Sequence, residues 1–168
     1  FEFDPSQPDH VTLDETAYNA GASYNFYKTS YVYFGYSRSF RYPVLDEFYN
    51  FTTNTVITDL KPQTSDGYEL GARHYFTESF FADVNFFLID TEDEFFFNSI
   101  TFANENLDGD TRRQGVEFIL AKQFERVELK ATYSYTDAEI RGGQFSGEQI
   151  PNVPEHKASF DSKFQLDK

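Results

Sequence analysis

The stretch Val-Glu-Leu-Lys-Ala-Thr-Tyr-Ser-Tyr-Thr, residues 127–136, alternates between apolar and polar side chains without a break. Val127 and Leu129 fall on one side of an extended chain, while Glu128 and Lys130 fall on the other. Because successive side chains of a β-strand point to opposite faces, this period of two predicts a strand with one apolar and one polar face. The segment therefore indicates a protein built from sheet.

The same alternation recurs in six other segments, which predicts seven strands of roughly ten residues each. These segments are residues 18–26, 32–39, 68–74, 80–88, 116–120 and 157–166. Tight turns and long loops connect the strands in strict alternation, and the long loops cover about 40–66, 90–111 and 137–156. All long loops therefore lie at one end of an antiparallel sheet.

This pattern predicts an all-β fold, specifically an antiparallel transmembrane β-barrel. Strands of this length suit a bilayer, and short turns at one end with long loops at the other are typical of outer-membrane barrels. The chain has 21 Phe and 12 Tyr but no Trp, Met or Cys, and aromatic side chains suit strands. An aromatic girdle is expected near the short turns, at Tyr24, Phe26, Tyr27, Phe76, Phe80 and Phe124.

Seven strands are too few and odd in number for a bacterial barrel, which starts at eight. An open strand edge in lipid would leave backbone groups unpaired. We therefore expect residues 1–168 to be part of a single, larger barrel domain, with Phe1–Phe3 as the tail of a preceding strand. The chain starts at Phe1 and shows no signal peptide, which indicates a mature or internal segment.

Composition excludes several classes of function. A net charge of −14 disfavours nucleic acid as a partner, because binding phosphates needs a basic surface. The three histidines, His10, His74 and His156, are scattered and make no metal-ligand spacing. We predict no catalytic residues, no metal site and no cofactor, and therefore no enzyme.

Three short boxes resemble the barrel domain of TonB-dependent outer-membrane receptors. The first is Tyr-Ser-Arg-Ser-Phe-Arg-Tyr-Pro at 36–43, followed by the acidic and aromatic patch 45–49. The second is Leu-Lys-Pro-Gln-Thr-Ser-Asp-Gly-Tyr-Glu-Leu-Gly at 60–71, with Gln63 where the family usually has Glu. The third is Thr-Arg-Arg-Gln-Gly-Val-Glu at 111–117.

The resemblance implies a 22-stranded barrel in the bacterial outer membrane, closed by a plug domain that these residues do not contain. It further implies import of a scarce metal chelate, such as a ferric siderophore, with energy supplied by TonB through the plug. Haem receptors of the family carry a His in the first long loop between two boxes. No His lies between Pro43 and Leu60, which disfavours haem ligation there.

The first long loop is the expected ligand site, because aromatic faces and a cation suit a flat, anionic chelate. Its predicted ligand-binding residues are Arg41, Tyr42, Phe48, Tyr49 and Phe51, although these side chains could instead only hold the loop in place. Phe95, Phe96 and Phe97 are interpreted as part of the outer girdle in preference to a ligand wall. Membrane lipid and lipopolysaccharide are further expected partners, and the acidic rim residues Glu92, Asp93, Glu94, Asp137 and Glu139 either bridge lipopolysaccharide phosphates through divalent ions or are simply solvated.

Two alternatives remain open at this point. One is a smaller outer-membrane barrel enzyme, a protease or lipase, which would need a His and an acid at the same barrel end. The other is a soluble, acidic β-sandwich that binds carbohydrate through exposed Tyr. The sandwich requires the apolar strand faces to meet each other in a core.

Overall fold

The computed structural model describes residues 11–50, 52–53 and 55–165. Phe1–Phe3, His10, Phe51 and Leu166 lie outside the described residues. In chain order the strands are β1 (Tyr18–Tyr27), β2 (Ser30–Arg41), β3 (Tyr49–Asn50), β4 (Thr55–Val56), β5 (Gln63–Thr77), β6 (Phe80–Glu92), β7 (Phe95–Asn98), β8 (Ala103–Asn106), β9 (Asp110–Gln123), β10 (Val127–Arg141) and β11 (His156–Phe164).

Seven of these strands form one antiparallel sheet in the order β1-β2-β5-β6-β9-β10-β11. Each strand of this sheet pairs with the next long strand in the chain, as expected for an up-and-down barrel wall. The prediction of an all-β, antiparallel fold with seven main strands is thus confirmed. Within the described part of the chain, no helix has the length and apolar character needed to cross a bilayer.

The four strands at the centre of the sheet are longer than predicted. β5 and β10 have 15 residues, β9 has 14 and β6 has 13, whereas about 9–11 residues span a bilayer. The additional residues lie at the end of the long loops, so that β5 begins at Gln63 and β10 continues to Arg141. Consequently the three connections at this end are residues 42–62, 93–109 and 142–155, which we name the first, second and third loop.

One face of the sheet, the apolar face, carries large side chains in direct cross-strand register. Leu70 lies opposite Phe34 on one side and Phe86 on the other. These side chains are 57%, 50% and 54% exposed, respectively, so among the described residues no second layer packs on them. A soluble sandwich would cover such a face, and the sandwich alternative is therefore not supported.

The opposite face, the polar face, carries ion pairs between neighbouring strands. Arg73 lies opposite Asp83 in the register, and its Nε donates to Asp83 Oδ2 at 2.7 Å. Asp83 is only 7% exposed, and the Arg73 guanidinium also lies 4.7 Å from the centre of the Phe81 ring. The expected pairing of charges across strands on this face is present at this position.

The apolar face becomes charged toward the long loops. Arg38 pairs with Asp66 at 2.7 Å, and Arg112 binds Asp90 through two hydrogen bonds of 2.6 and 2.7 Å. Tyr36 adds a third hydrogen bond to Asp66, at 2.6 Å. This charged collar begins where the strands exceed bilayer length, which fits strand ends that project beyond the hydrocarbon.

Aromatic side chains gather at the opposite end, beside the short turns. The Phe76 and Phe80 rings stack with centroids 4.8 Å apart, and His74 contacts Phe76 edge-on at the same distance. Lys122 Nζ lies 5.3 Å from the centre of the Phe80 ring and 5.8 Å from that of Phe124. An amphipathic border of this kind suits a membrane interface.

A glycine within the third sequence box marks a close approach between strands. A Cβ on Gly115 would overlap the carbonyl oxygen of Tyr135 and lie 2.9 Å from Cζ of Phe87. The obstacle includes backbone of the paired strand, which cannot move without disturbing the sheet. By contrast, a Cβ on Gly35, on the same face, would meet its nearest atom, Cβ of Glu69, at 3.9 Å.

We therefore expect Gly115→Ala to destabilise the folded barrel by about 1–3 kcal/mol through overpacking. Gly35→Ala is the matched control and should leave stability unchanged or raise it slightly, because glycine in a strand carries a conformational cost. Urea unfolding of the complete protein in lipid vesicles measures both. Equal effects of the two substitutions would contradict the described strand contact.

Candidate ligand-binding site

The three loops meet above the polar face, and hydrogen bonds join the first to the second. Asn106 Oδ1 accepts from the Lys61 amide at 2.9 Å, and its Nδ2 donates to the carbonyl oxygens of Lys61 and Asp93 at 3.0 and 2.7 Å. β3 also contacts β8, and Leu60 is 4% exposed. The loops are thus packed on each other, which fixes the side chains that they carry.

Arg41, a predicted ligand-binding residue, is held at the base of the first loop. Its guanidinium donates two hydrogen bonds of 3.0 Å to Glu47, which also accepts from the Val44 amide at 2.8 Å. The same guanidinium lies 4.3 Å from the centre of the Phe95 ring. Burial alone would raise the pKa of Glu47, but the hydrogen bonds from Arg41 and Val44 outweigh it and lower the pKa. Glu47 therefore stays ionised and neutralises the arginine.

Tyr42, Phe48 and Tyr49, the other predicted residues that the structure describes in this loop, make separate contacts. The Tyr42 ring contacts that of Phe40 at a tilt of 50°, with centroids 4.9 Å apart, and its hydroxyl accepts from the Glu15 amide at 3.1 Å. Phe48 and Tyr49 are half-buried at the start of the β3–β4 hairpin, where the Phe48 carbonyl accepts from the Ile57 amide at 2.7 Å. Phe51, as noted, is outside the described residues. Their role in binding remains a prediction.

A cavity of about 320 Å³ lies between the second and third loops, where sequence analysis did not place the site. Its walls are mainly apolar, and three phenylalanines contribute to them. The lining residues are Glu94, Phe95, Phe96, Leu107, Thr111, Ile140, Phe145, Glu148, Gln149, Ile150 and Pro151. Ligand pockets are commonly concave and apolar with a few polar groups, so this cavity is the stronger candidate.

Phe95 and Phe96 lie in β7, beyond the end of the long strand β6. They belong to the small β7–β8 hairpin of the second loop, above the sheet, and both line the cavity. Phe97 is 59% exposed and contacts Phe102 at a centroid distance of 6.4 Å. The placement of Phe95 and Phe96 favours a ligand wall over the girdle that the sequence suggested.

Glu94 and Thr111 contribute polar groups to the cavity lining, and Arg113 of β9 binds Glu94 without lining the cavity itself. Arg113 binds both carboxylate oxygens of Glu94, at 2.6 and 2.9 Å, and the Thr111 hydroxyl also donates to it. Thr111 is 1% exposed. Burial raises the pKa of Glu94, but the bonds from Arg113 and Thr111 more than compensate, and the net effect lowers the pKa. The charge of the Glu94 carboxylate is therefore neutralised by Arg113.

Three further acidic rim residues, Asp93, Asp137 and Glu139, have separate partners. Asp93 pairs with Lys61 at 3.3 Å, Gln114 donates to Asp137 at 3.1 Å, and Glu139 pairs with Arg141. Among the residues that the structure describes, no group of three or more His, Cys, Asp or Glu side chains is arranged to hold a metal ion. The described groups at this end are mainly aromatic rings and carboxylates.

The family model described as "TonB dependent receptor-like, beta-barrel" matches residues 2–168. Comparison with curated proteins gives no match. Solved structures with the same fold include the ferric-catecholate import receptor Fiu from E. coli K12, at 24% identity and a TM-score of 0.66, covering 89% of this chain and 22% of that one.

The ferripyoverdine receptor of the outer membrane of Pseudomonas aeruginosa, bound to ferripyoverdine, has 18% identity and a TM-score of 0.66 over 89% of this chain and 20% of its own. The copper transporter OprC has 14% identity and a TM-score of 0.67 over 89% of this chain and 24% of its own. The chain thus spans between a fifth and a quarter of these structures, and at such identities they establish its fold.

The ion pair between Arg41 and Glu47, which we name the clamp, predicts that substitutions of these two residues have non-additive effects on loop stability. Arg41→Ala and Glu47→Gln should each speed proteolysis of the first loop in the folded protein. The double variant should be cleaved no faster than either single variant. The expected coupling is about 1 kcal/mol, since the pair is bidentate but partly exposed. Lys61→Ala, which breaks only an ion pair with a 70% exposed lysine, is the control and should change little. Additive effects of the first two substitutions would contradict the clamp.

The lowered pKa of Glu94 predicts that acid loosens the second loop. A carboxyl whose pKa is lowered by folding stabilises the structure at pH values above its ordinary pKa of 4.5. This contribution is lost as the pH drops through the pKa of the folded state. The protection factors of amides in β7 and β8, which correct for the slower intrinsic exchange in acid, should therefore fall below pH 4.5, by the equivalent of about 1–2 kcal/mol.

In Glu94→Gln the same amides should exchange fast already at neutral pH and respond less to acid. Asp108→Asn, which removes an exposed carboxylate of the same loop, should behave like the wild type. Protection factors that do not change with acid in the unsubstituted protein would refute the stabilising role of Glu94.

Proposed function

Because the chain belongs to the TonB-dependent receptor β-barrel family, whose members are receptors of the bacterial outer membrane and not enzymes, we propose that it forms part of an active importer. The cargo is a scarce metal chelate, such as a ferric siderophore, and TonB supplies energy through a plug domain. The observation that carries this proposal is the match of the family model to residues 2–168. The smaller barrel enzyme is not favoured by this membership.

The described structure supports a division of labour within such an importer. The apolar face contacts lipid, and its charged collar, with Arg38 and Arg112, lies at the level of lipopolysaccharide phosphates. The loops receive the ligand, where aromatic side chains and a partly open cavity supply a binding surface. Similar structures carry cargoes as different as ferripyoverdine and copper according to their titles, so the loops and not the fold select the cargo.

We retain the first loop as a proposed part of the ligand surface. Phe48, Tyr49 and Phe51 are its candidate contact residues, while Arg41 and Tyr42 carry internal contacts that hold the loop base. Phe95, Phe96 and Phe145 are added because they line the cavity.

Uptake of radiolabelled iron from a panel of chelates tests the proposed function. Cells of the native host that lack the complete gene should lose uptake of at least one chelate, and a plasmid copy should restore it. Deletion of TonB should abolish accumulation but leave surface binding of that chelate intact, because binding precedes the energised step. Unchanged accumulation without TonB would overturn the proposal.

Within this experiment, Tyr49→Ala should raise the chelate concentration needed for half-maximal uptake by about fivefold to tenfold, the effect of losing one aromatic contact of about 1–1.5 kcal/mol. Tyr24→Ala, at the opposite end of the sheet and 69% exposed, is the matched control and should not change this concentration. If both variants behave alike, Tyr49 is not part of the ligand surface.

A further inference from the structure

The three loops together are strongly acidic. Residues 42–62, 93–109 and 142–155 contain nine carboxylates and a single cationic side chain, Lys61, which gives a net charge of −8. Lys61 is itself paired with Asp93. Two arginines directly flank these loops, and both are paired, Arg41 with Glu47 and Arg141 with Glu139. Adding their two charges to the −8 of the loops still leaves a net charge of −6. A ligand that reaches these loops therefore meets a negative potential, which attracts cations and repels anions over roughly the 10 Å that salt leaves unscreened.

The lining of the cavity between the second and third loops is also acidic. No lysine or arginine is among the residues that line it, while Glu94 and Glu148 both do. Glu94 is already satisfied by Arg113 and Thr111. Glu148 is exposed, and no cation pairs with its carboxylate within the described part of the chain. One carboxylate at the cavity is therefore available to a ligand.

The aromatic walls favour the same sign of charge. Phe95, Phe96 and Phe145 line the cavity, and a cation within about 6 Å of the centre of an aromatic ring is attracted by the electrons of the ring. An anion would lose its hydration between these rings with no donor side chain from Arg or Lys to replace it. The apolar lining residues, including Ile140 and Ile150, favour contact with an apolar part of the ligand.

We propose that this cavity binds an apolar or aromatic group that carries a positive charge, such as an arylammonium or guanidinium group of the imported ligand. This inference rests on the proposed import function and narrows it: the cargo is a neutral or cationic chelate with such a group. It replaces the flat, anionic chelate that the first loop suggested from sequence, because the cation invoked there, Arg41, is engaged by Glu47.

Two probes that share a ring and differ in charge test the proposal. Phenyltrimethylammonium and benzenesulfonate are titrated by calorimetry into the complete protein in lipid nanodiscs, and heats from empty nanodiscs are subtracted. The unsubstituted protein should bind the ammonium probe at least about tenfold more tightly than the sulfonate, as expected for an ion pair combined with cation–π contact.

Glu148→Gln should weaken binding of the ammonium probe about fivefold and leave the sulfonate unaffected. Glu125→Gln removes an exposed carboxylate at a short turn on the opposite end and should change neither affinity. Phe145→Ala should weaken the ammonium probe as well. Equal binding of both probes, tighter binding of the sulfonate, or identical behaviour of Glu148→Gln and Glu125→Gln would each overturn the proposal.

This test is independent of transport, because it uses purified protein without TonB or an energised membrane. If TonB-dependent uptake fails while the ammonium probe binds at Glu148, the import function is wrong and the charge selectivity stands. If uptake succeeds but the probes show no selectivity or the reverse, only the assignment of the cargo's charge is wrong.

Discussion

The requirement that every backbone amide and carbonyl in lipid find a hydrogen-bond partner governs this molecule. A sheet satisfies it between strands, and the alternation of side chains then forces one face toward hydrocarbon and the other toward water. Leu70, Phe34 and Phe86 lie in register on one face, whereas the pair Arg73–Asp83 lies on the other. The aromatic-rich composition follows, since rings cover wide areas of a pleated surface.

The long strands remain paired beyond the bilayer, and these projecting strand ends support the loops. On the apolar face, Asp66 and Asp90 find arginine partners on adjacent strands. On the polar face, Arg113 reaches Glu94 and ties the second loop to the sheet. The loops can then be organised by a few polar contacts, such as those of Asn106, without a large hydrophobic core of their own.

Sequence alone identified the seven main strands because the alternation of Val127, Leu129 and their counterparts is a local signal. It underestimated strand length, since the apolar pattern ends where Asp66 and Asp90 replace apolar residues although backbone pairing continues. The small hairpins β3–β4 and β7–β8 were missed because strands of two and four residues carry no readable period.

The candidate site was only partly predictable, for a physical reason. Arg41 and Glu47 are only six residues apart, so an ion pair between them could be predicted from the sequence. Glu94 and Arg113 are 19 residues apart, and Phe96 and Phe145 come from different loops. Such contacts depend on how the loops pack over the sheet, which strand periodicity does not encode.

Alternation between lipid and water along one strand is the central claim, and single cysteines can measure it directly because the chain has none of its own. Each residue from 129 to 136 is replaced in turn in the complete protein, folded into vesicles, and exposed to a water-soluble maleimide. The account predicts that positions 130, 132, 134 and 136 react while 129, 131, 133 and 135 are protected. Uniform reactivity, uniform protection, or the opposite alternation would contradict it.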